Sequence, residues 1–246
     1  AKGPDVQELI KEGNVCSGEM GSCFVIENKF SSNYIHGGCR LGDALRIKPG
    51  TLRKLNTELP GDISVSDFLF LDTETSGLSG GAGTVAFLIG TGFFADDVFI
   101  VRQYFMRDYN EEIPMLWEFN RVLGDFRGFV TFNGKSFDWN LLQTRFIFNR
   151  IRCCLGDPYH LDLLHPSRRL WRLKLERCAL TSLEQYVLDQ YRCDDIPGAQ
   201  IPAVYFKYLE DRDAREIVRV IDHNVTDILS MVSLLVKISS MVEEPT

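Results

Sequence analysis

Four apolar residues running straight into two acidic ones, in Phe68-Leu69-Phe70-Leu71-Asp72-Thr73-Glu74, constrain this chain more than any other stretch. A short unbroken apolar run reads as a buried strand, and the period-2 geometry of strands sends Asp72 and Glu74 to one face at its end. Same-facing carboxylates there repel at a cost unless a cation sits between them. A helix N-cap or a solvated turn is the plainer alternative for such a pair on its own. Thr84–Phe94 and Val98–Met106 read as further strands, joined by a hairpin turn at Ala95-Asp96-Asp97. The pattern then predicts a helix over Glu111–Asp125, a strand over Gly128–Phe132 and a helix over Ser136–Asn149. More helices follow near 166–175, 181–190, 202–211 and 214–238. Strands in succession, then alternation, then helices is the order of an α/β fold with a mixed central β-sheet flanked by α-helices. Residues 1–62 are balanced in charge, rich in Gly and Ser and weakly periodic. They are expected to form an N-terminal extension to a main domain over 63–246.

The composition, 45% hydrophobic and 25% charged over 246 residues, excludes disordered and disulfide-scaffold classes. A membrane span needs ~20 apolar residues, whereas the longest weakly polar run, Thr84–Phe94, has eleven residues and two glycines. No membrane partner and no secretion signal are expected. Seven cysteines in no regular framework suit reduced thiols and a cytoplasmic setting. Cys16, Cys23, His36 and Cys39 lack the tight C-x-x-C pair of a zinc site, so free thiols in a loosely structured segment are the simpler expectation. The net charge of −7 argues against a protein that coats nucleic acid indiscriminately. From Arg145 to Arg177, however, eight basic residues stand against Asp157, Asp162 and Glu176. That stretch is either a phosphate-contacting face or a solvated helix surface.

Three short motifs invite chemistry and lack its context. Gly77-Leu78-Ser79-Gly80-Gly81 matches the G-x-S-x-G nucleophile elbow of a serine hydrolase, and Gly81-Ala82-Gly83-Thr84-Val85-Ala86 matches a dinucleotide-binding G-x-G-x-x-A. Both motifs require a helix immediately afterwards, and the residues that follow are strand-like, so no dinucleotide cofactor is expected. Asn224-Val225-Thr226 is a glycosylation sequon by pattern only, inside a predicted helix.

A more specific constellation spans three segments. Asp72 and Glu74 come first. Asn133-Gly134-Lys135-Ser136-Phe137-Asp138 follows a predicted strand and puts Asp138 in the first turn of the next helix, where an acidic residue is favoured in any case. His223 and Asp227 are four residues apart and share one helical face. Together they resemble the D-x-E, N-x-x-x-F-D and His/Tyr-to-Asp motifs of the DEDD (DnaQ-like) 3′–5′ exonucleases, within the ribonuclease H-like fold. FLFLDTETSGLSGGAGT, VTFNGKSFDWNLLQTRF, LDLLHPSRRLW and DIPGAQIPAVYFKYL extend the resemblance to the YprB-like branch over roughly Asp67–Leu235, and HGGCRLGDAL resembles the segment before its nuclease domain. DEDD enzymes with His usually have one more residue before the last Asp, and the three-residue gap here is that of the Tyr variant.

The resemblance implies phosphodiester hydrolysis of DNA or RNA ends with two Mg²⁺ or Mn²⁺ ions. The ions would be held by Asp72, Glu74, Asp138 and Asp227, with His223 as general base. It also makes Lys135 and the Arg145–Arg177 stretch, notably Arg145, Arg168 and Arg172, candidate phosphate contacts, with Asn133 a further nucleic-acid contact and Thr73 packing on the terminal nucleotide. Phe132 and Trp139 could pack there too, but are more often core at such positions. A catalytically silent nucleic-acid-binding module on the same fold is the alternative.

Overall fold

The computed structural model describes residues 3–77 and 83–243. The chain begins with α1 (Val6–Leu9), β1 (Gly13–Gly18), β2 (Gly21–Ser31), a small hairpin of β3 (Ile35–His36) and β4 (Cys39–Arg40), and α2 (Pro49–Leu55). Then come β5 (Phe68–Thr75), β6 (Ala86–Ala95), β7 (Val98–Phe105), α3 (Glu112–Leu123), β8 (Gly128–Thr131), α4 (Asp138–Phe148) and β9 (Tyr159–Asp162). The remainder is helical: α5 (Leu164–Trp171), α6 (Leu180–Val187), α7 (Ile201–Asp211) and α8 (Arg215–Glu243).

Seven strands form one mixed sheet in the order β1-β2-β7-β6-β5-β8-β9. β5 is antiparallel to β6 and parallel to β8, which is parallel to β9. The expected α/β fold with a mixed, helix-flanked sheet is what the chain adopts. Alternation along β5 is visible in the core. Phe68 and Phe70 enter the apolar cluster that includes Val232 and Leu235 of α8, while Leu69 and Leu71 enter the cluster that includes Leu142 of α4. A strand buried on both faces has no polar side, hence the unbroken apolar run.

Two features departed from the sequence reading. Residues 13–31, inside the stretch read as a loosely structured extension, are β1 and β2, and β2 pairs with β7 from Phe24↔Phe105 to Ser31↔Val98. The short strand β9 was not anticipated, because four residues with Tyr, His and Asp among them carry no apolar run to reveal it.

α8 is long and apolar enough to cross a bilayer by length and composition, but it is a core helix. Ile221, Ile228, Val232 and Leu235 on it are buried. It approaches β6 closely because Gly90 and Gly92, two apart and on one face, have no side chains. A Cβ at Gly90 would lie 2.0 Å from Asn224 Oδ1, and one at Gly92 2.5 Å from Ile228 Cγ2.

Candidate functional site

The last four residues of β5 leave the buried interior, and their alternation divides the site between two helices. The even positions face α8: Asn224 Nδ2 donates to Asp72 Oδ2 at 2.7 Å, and Glu74 Oε1 is 4.0 Å from His223 Nε2. The odd position faces α4, where the Thr73 hydroxyl donates to Asp138 Oδ1. Asp138 starts α4 just after a turn in which Asn133 has a left-handed φ of 67°, a conformation Asn tolerates. Asp162 at the end of β9 shapes that turn by accepting from the backbone N–H groups of Asn133 (2.8 Å), Lys135 (3.2 Å) and Leu164 (3.0 Å). On α8, His223 Nε2 lies 3.5 Å from Asp227 Oδ2, and donor atoms of Glu74, His223 and Asp227 fall within 4.8 Å of one another.

The electrostatics are those of crowded like charges. Burial, then Asp227, Glu74 and Asp138, push the Asp72 carboxyl well above its ordinary range, against the opposing bond from Asn224. Burial, then Asp227 and Asp138, do the same to Glu74. Asp138 is raised by burial to about 6 even though Thr73 donates to it. Burial makes Asp72, Glu74 and Asp138 resist ionising, and like charges add to this at Asp72 and Glu74, so the cluster favours an added cation.

One guanidinium already answers part of this. Arg192, in the loop after α6, donates through Nε and Nη2 to the two oxygens of buried Glu184 at 2.6 and 2.5 Å. Its Nη2 also bonds Asp227 Oδ1, and its Nη1 lies 3.3 Å from Asp195 Oδ2. Asp195 Oδ1 in turn is 2.7 Å from His223 Nδ1. Burial alone would raise the Asp195 carboxyl, but His223 and Arg192 outweigh it and hold it below its ordinary value. Behind Glu184, the Ser230 hydroxyl donates to Oε1 at 2.5 Å and meets His36 Nε2 at 2.9 Å, which ties the β3–β4 hairpin to α8. The sequence marks none of Arg192, Asp195, Glu184, Asn224 and Asp162 as a residue of this site, Asn224 standing out only as a sequon and Asp162 only as a charge opposing the basic stretch. The available signals are two stretches that carry part of the family resemblance, DIPGAQ, which begins at Asp195, and LDLLHPSRRLW, which holds Asp162.

The candidate nucleic-acid contacts separate into three places. Asn133, Arg168 and Arg172 line one groove of about 650 Å³, together with Phe132 and Arg177. Lys135 lies across the 133–135 turn in a neighbouring groove of about 490 Å³, with Glu58 3.9 Å from its Nζ. Arg145 is a correction: it is 5% exposed and its Nε and Nη2 donate to Glu112 at 2.5 and 2.7 Å, so it joins α4 to α3 instead of facing a phosphate. Trp139 is buried against Phe129, as its core alternative required.

The other motifs resolve as follows. Ser79 of the elbow-like motif and Gly81-Ala82 of the dinucleotide-like motif lie outside the described residues. The structure downstream of both is the strand β6. Asn224 of the sequon is fully buried. His36 is committed to Ser230, away from a shared site with Cys16, and all seven cysteines are free thiols.

Comparison with known proteins agrees with this geometry. Residues 69–239 match the RNase_H superfamily. A Bacillus subtilis (strain 168) protein described as uncharacterized protein YprB is 35% identical over 178 residues, which is 72% of this chain and 43% of that relative. The chain therefore spans less than half the length of the relative it matches. The family match runs through the strands and helices that deliver the carboxylates, and on the two matches together the chain is a YprB-like member of the RNase H superfamily.

Proposed function

We propose that this protein is a metal-dependent nuclease, and specifically a 3′–5′ exonuclease acting on single-stranded ends of DNA or RNA. The observation that carries the proposal is the buried convergence of Asp72, Glu74, Asp138 and Asp227, where burial, and for Asp72 and Glu74 the neighbouring carboxylates as well, holds three of these carboxyls above their ordinary range. The donor set fits the group it calls for: hard carboxylate oxygens in excess of nearby positive charge suit Mg²⁺ or Mn²⁺ better than a soft-ligand metal. Two such ions, when bound by these four residues, supply an ionised water at neutral pH and charge for the departing 3′-oxygen.

The chain's own residues do the rest. Thr73 and Asn224 fix the carboxylates of Asp138 and Asp72 through single hydrogen bonds. His223 presents Nε2 to the cluster and takes the proton of the attacking water, a role imidazole fills near neutral pH. Arg168 and Arg172 line the groove beside Asn133 and hold the strand through its phosphates. Free thiols throughout support a cytoplasmic setting.

A second reading draws on the bond from Arg192 to Asp227: a built-in cation occupies one oxygen of a ligand, as it would in a binding module without turnover. One experiment separates the two. End-labelled DNA and RNA oligonucleotides are incubated with Mg²⁺, Mn²⁺ or EDTA, for the native chain and for Asp72→Asn. A nuclease shortens strands stepwise from the 3′ end only with metal, and the variant binds without cutting. Equal cutting by Asp72→Asn refutes the ligand assignment, and binding without metal-dependent cleavage in the native chain selects the silent module.

A further inference from the structure

We propose that Asp195 is a positioning residue that locks His223 in the tautomer with its Nε2 lone pair facing the acidic cluster. The proposal rests on the nuclease reading and names a residue that reading does not use.

For the neutral imidazole, the form that can take a proton, the bonding leaves one consistent arrangement. Nδ1 has two neighbours, Asp195 Oδ1 at 2.7 Å and Arg192 Nη1 at 3.2 Å. A guanidinium only donates and a carboxylate only accepts, so Nδ1 satisfies one of them according to where its proton lies. The shorter, charge-assisted contact is to the carboxylate, which assigns the proton to Nδ1. Nε2 is then bare, and it points toward Asp227 Oδ2 at 3.5 Å and Glu74 Oε1 at 4.0 Å. Asp195 is itself braced: its second oxygen takes Arg192 Nη1 at 3.3 Å, and Arg192 is anchored on Glu184, whose side chain is 1% exposed. In the other tautomer Nε2 would carry the N–H and could take no proton from the site.

Asp195→Asn and Asp195→Ala distinguish positioning from simple packing. A carboxamide has one acceptor oxygen where the carboxylate has two. Arg192 claims it, which turns the NH₂ toward Nδ1 and drives the proton to Nε2. Asn is thus expected to be worse than Ala, the reverse of what lost packing produces. Outer-shell partners of this kind are typically worth roughly 10–100-fold. Asp195→Asn should lose that much in kcat on a 3′-labelled oligonucleotide with Mn²⁺, at unchanged KM, with Asp195→Ala falling less and Asp195→Glu recovering part of the loss. Histidine-selective ¹⁵N NMR, assigned with His223→Gln, should show Nδ1–H in the native chain and Nε2–H in Asp195→Asn. Mn²⁺ affinity by calorimetry should stay within a few-fold. The proposal is overturned by Nε2–H in the native spectrum, by a rate order of Ala below Asn, or by a fall in Mn²⁺ affinity matching the fall in rate, which would make His223 a ligand. The spectrum needs no turnover. A chain that cuts nothing refutes the nuclease reading, and the spectrum still decides the contact.

Discussion

Replacing Asp138 by Asn should stabilise the metal-free protein at neutral pH and leave it unchanged in acid. Burial raises this carboxyl from 3.8 to about 6 in the folded chain. Between those values the native state holds a proton that the unfolded chain has released, so stability falls as pH rises through the window. The penalty is absent below about pH 4 and complete above about pH 6. A rise of about two units, at ~1.4 kcal/mol each, sets a ceiling of ~3 kcal/mol. Asp138 is partly exposed, and solvent screening leaves roughly 1–2 kcal/mol of this. Asn is nearly isosteric and can still accept from Thr73, so it removes the charge and little else. For a chain of this size 1 kcal/mol moves Tm by roughly 2–4 °C, which puts the variant about 2–8 °C above the native chain at pH 7 in EDTA. Comparing the two chains cancels the opposing contribution of His36 and His160, which burial keeps neutral by lowering each to about 4. The assay is calorimetry or differential scanning fluorimetry at pH 4, 5, 6 and 7, in EDTA and in excess Mn²⁺. In Mn²⁺ the order should invert, because the native chain gains binding energy and the variant has lost a ligand. A Tm gap that is absent at pH 7 in EDTA, or that does not shrink toward pH 4, refutes the account of a strained acidic cluster.

Arg168→Ala and Arg172→Ala should each lower the slope of log K against log salt by roughly 0.7 on a single strand. Arg145→Ala should leave that slope alone and destabilise the fold by roughly 3–5 kcal/mol, because Glu112 is left buried and uncompensated; denaturant melts and filter binding check both. Gly90→Ala should cost roughly 1–3 kcal/mol by overpacking and should also depress turnover, since the atom it strikes is the Asn224 oxygen held by Gln103. His223→Ala should lose roughly 10²–10⁴-fold in single-turnover rate with Mn²⁺ binding retained, and His223→Tyr should keep more activity than His223→Ala.

What the sequence revealed follows from where its signals were periodic. β5 and β6 were readable as nearly unbroken apolar runs, and β7, α4 and α8 from apolar patterns repeating at 2 or near 3.6 residues, and the carboxylates they carry were readable with them. β2 carries only the short apolar run Cys23-Phe24-Val25-Ile26, flanked by polar residues in a Gly- and Ser-rich stretch, and only pairing with β7 selects the strand. Arg145 illustrates the opposite failure. Charge counted along the chain gave it to a phosphate face, whereas the helical turn carries it inward to Glu112, 33 residues away. Arg192 and Asp195 were missed for the same reason in reverse: they lie in a loop without periodicity, and their meaning comes from Glu184, His223 and Asp227, which the fold brings to them.

Those long separations also govern when the site comes into being. Thr73 and Asp138 are 65 residues apart, and Asp72 and Asn224 are 152 apart. Synthesis proceeds from the N-terminus, so the sheet through β9 can pair while α8 is still to come. During that interval Asp72, Glu74 and Asp138 have neither Asn224 nor His223 beside them. Closing the last and longest loop completes the core and the acidic cluster in one event. A chain stopped or cleaved before α8 lacks His223 and Asp227 and with them the complete cluster, and any opening that lifts α8 from the glycine furrow of β6 parts those two residues from Asp72, Glu74 and Asp138.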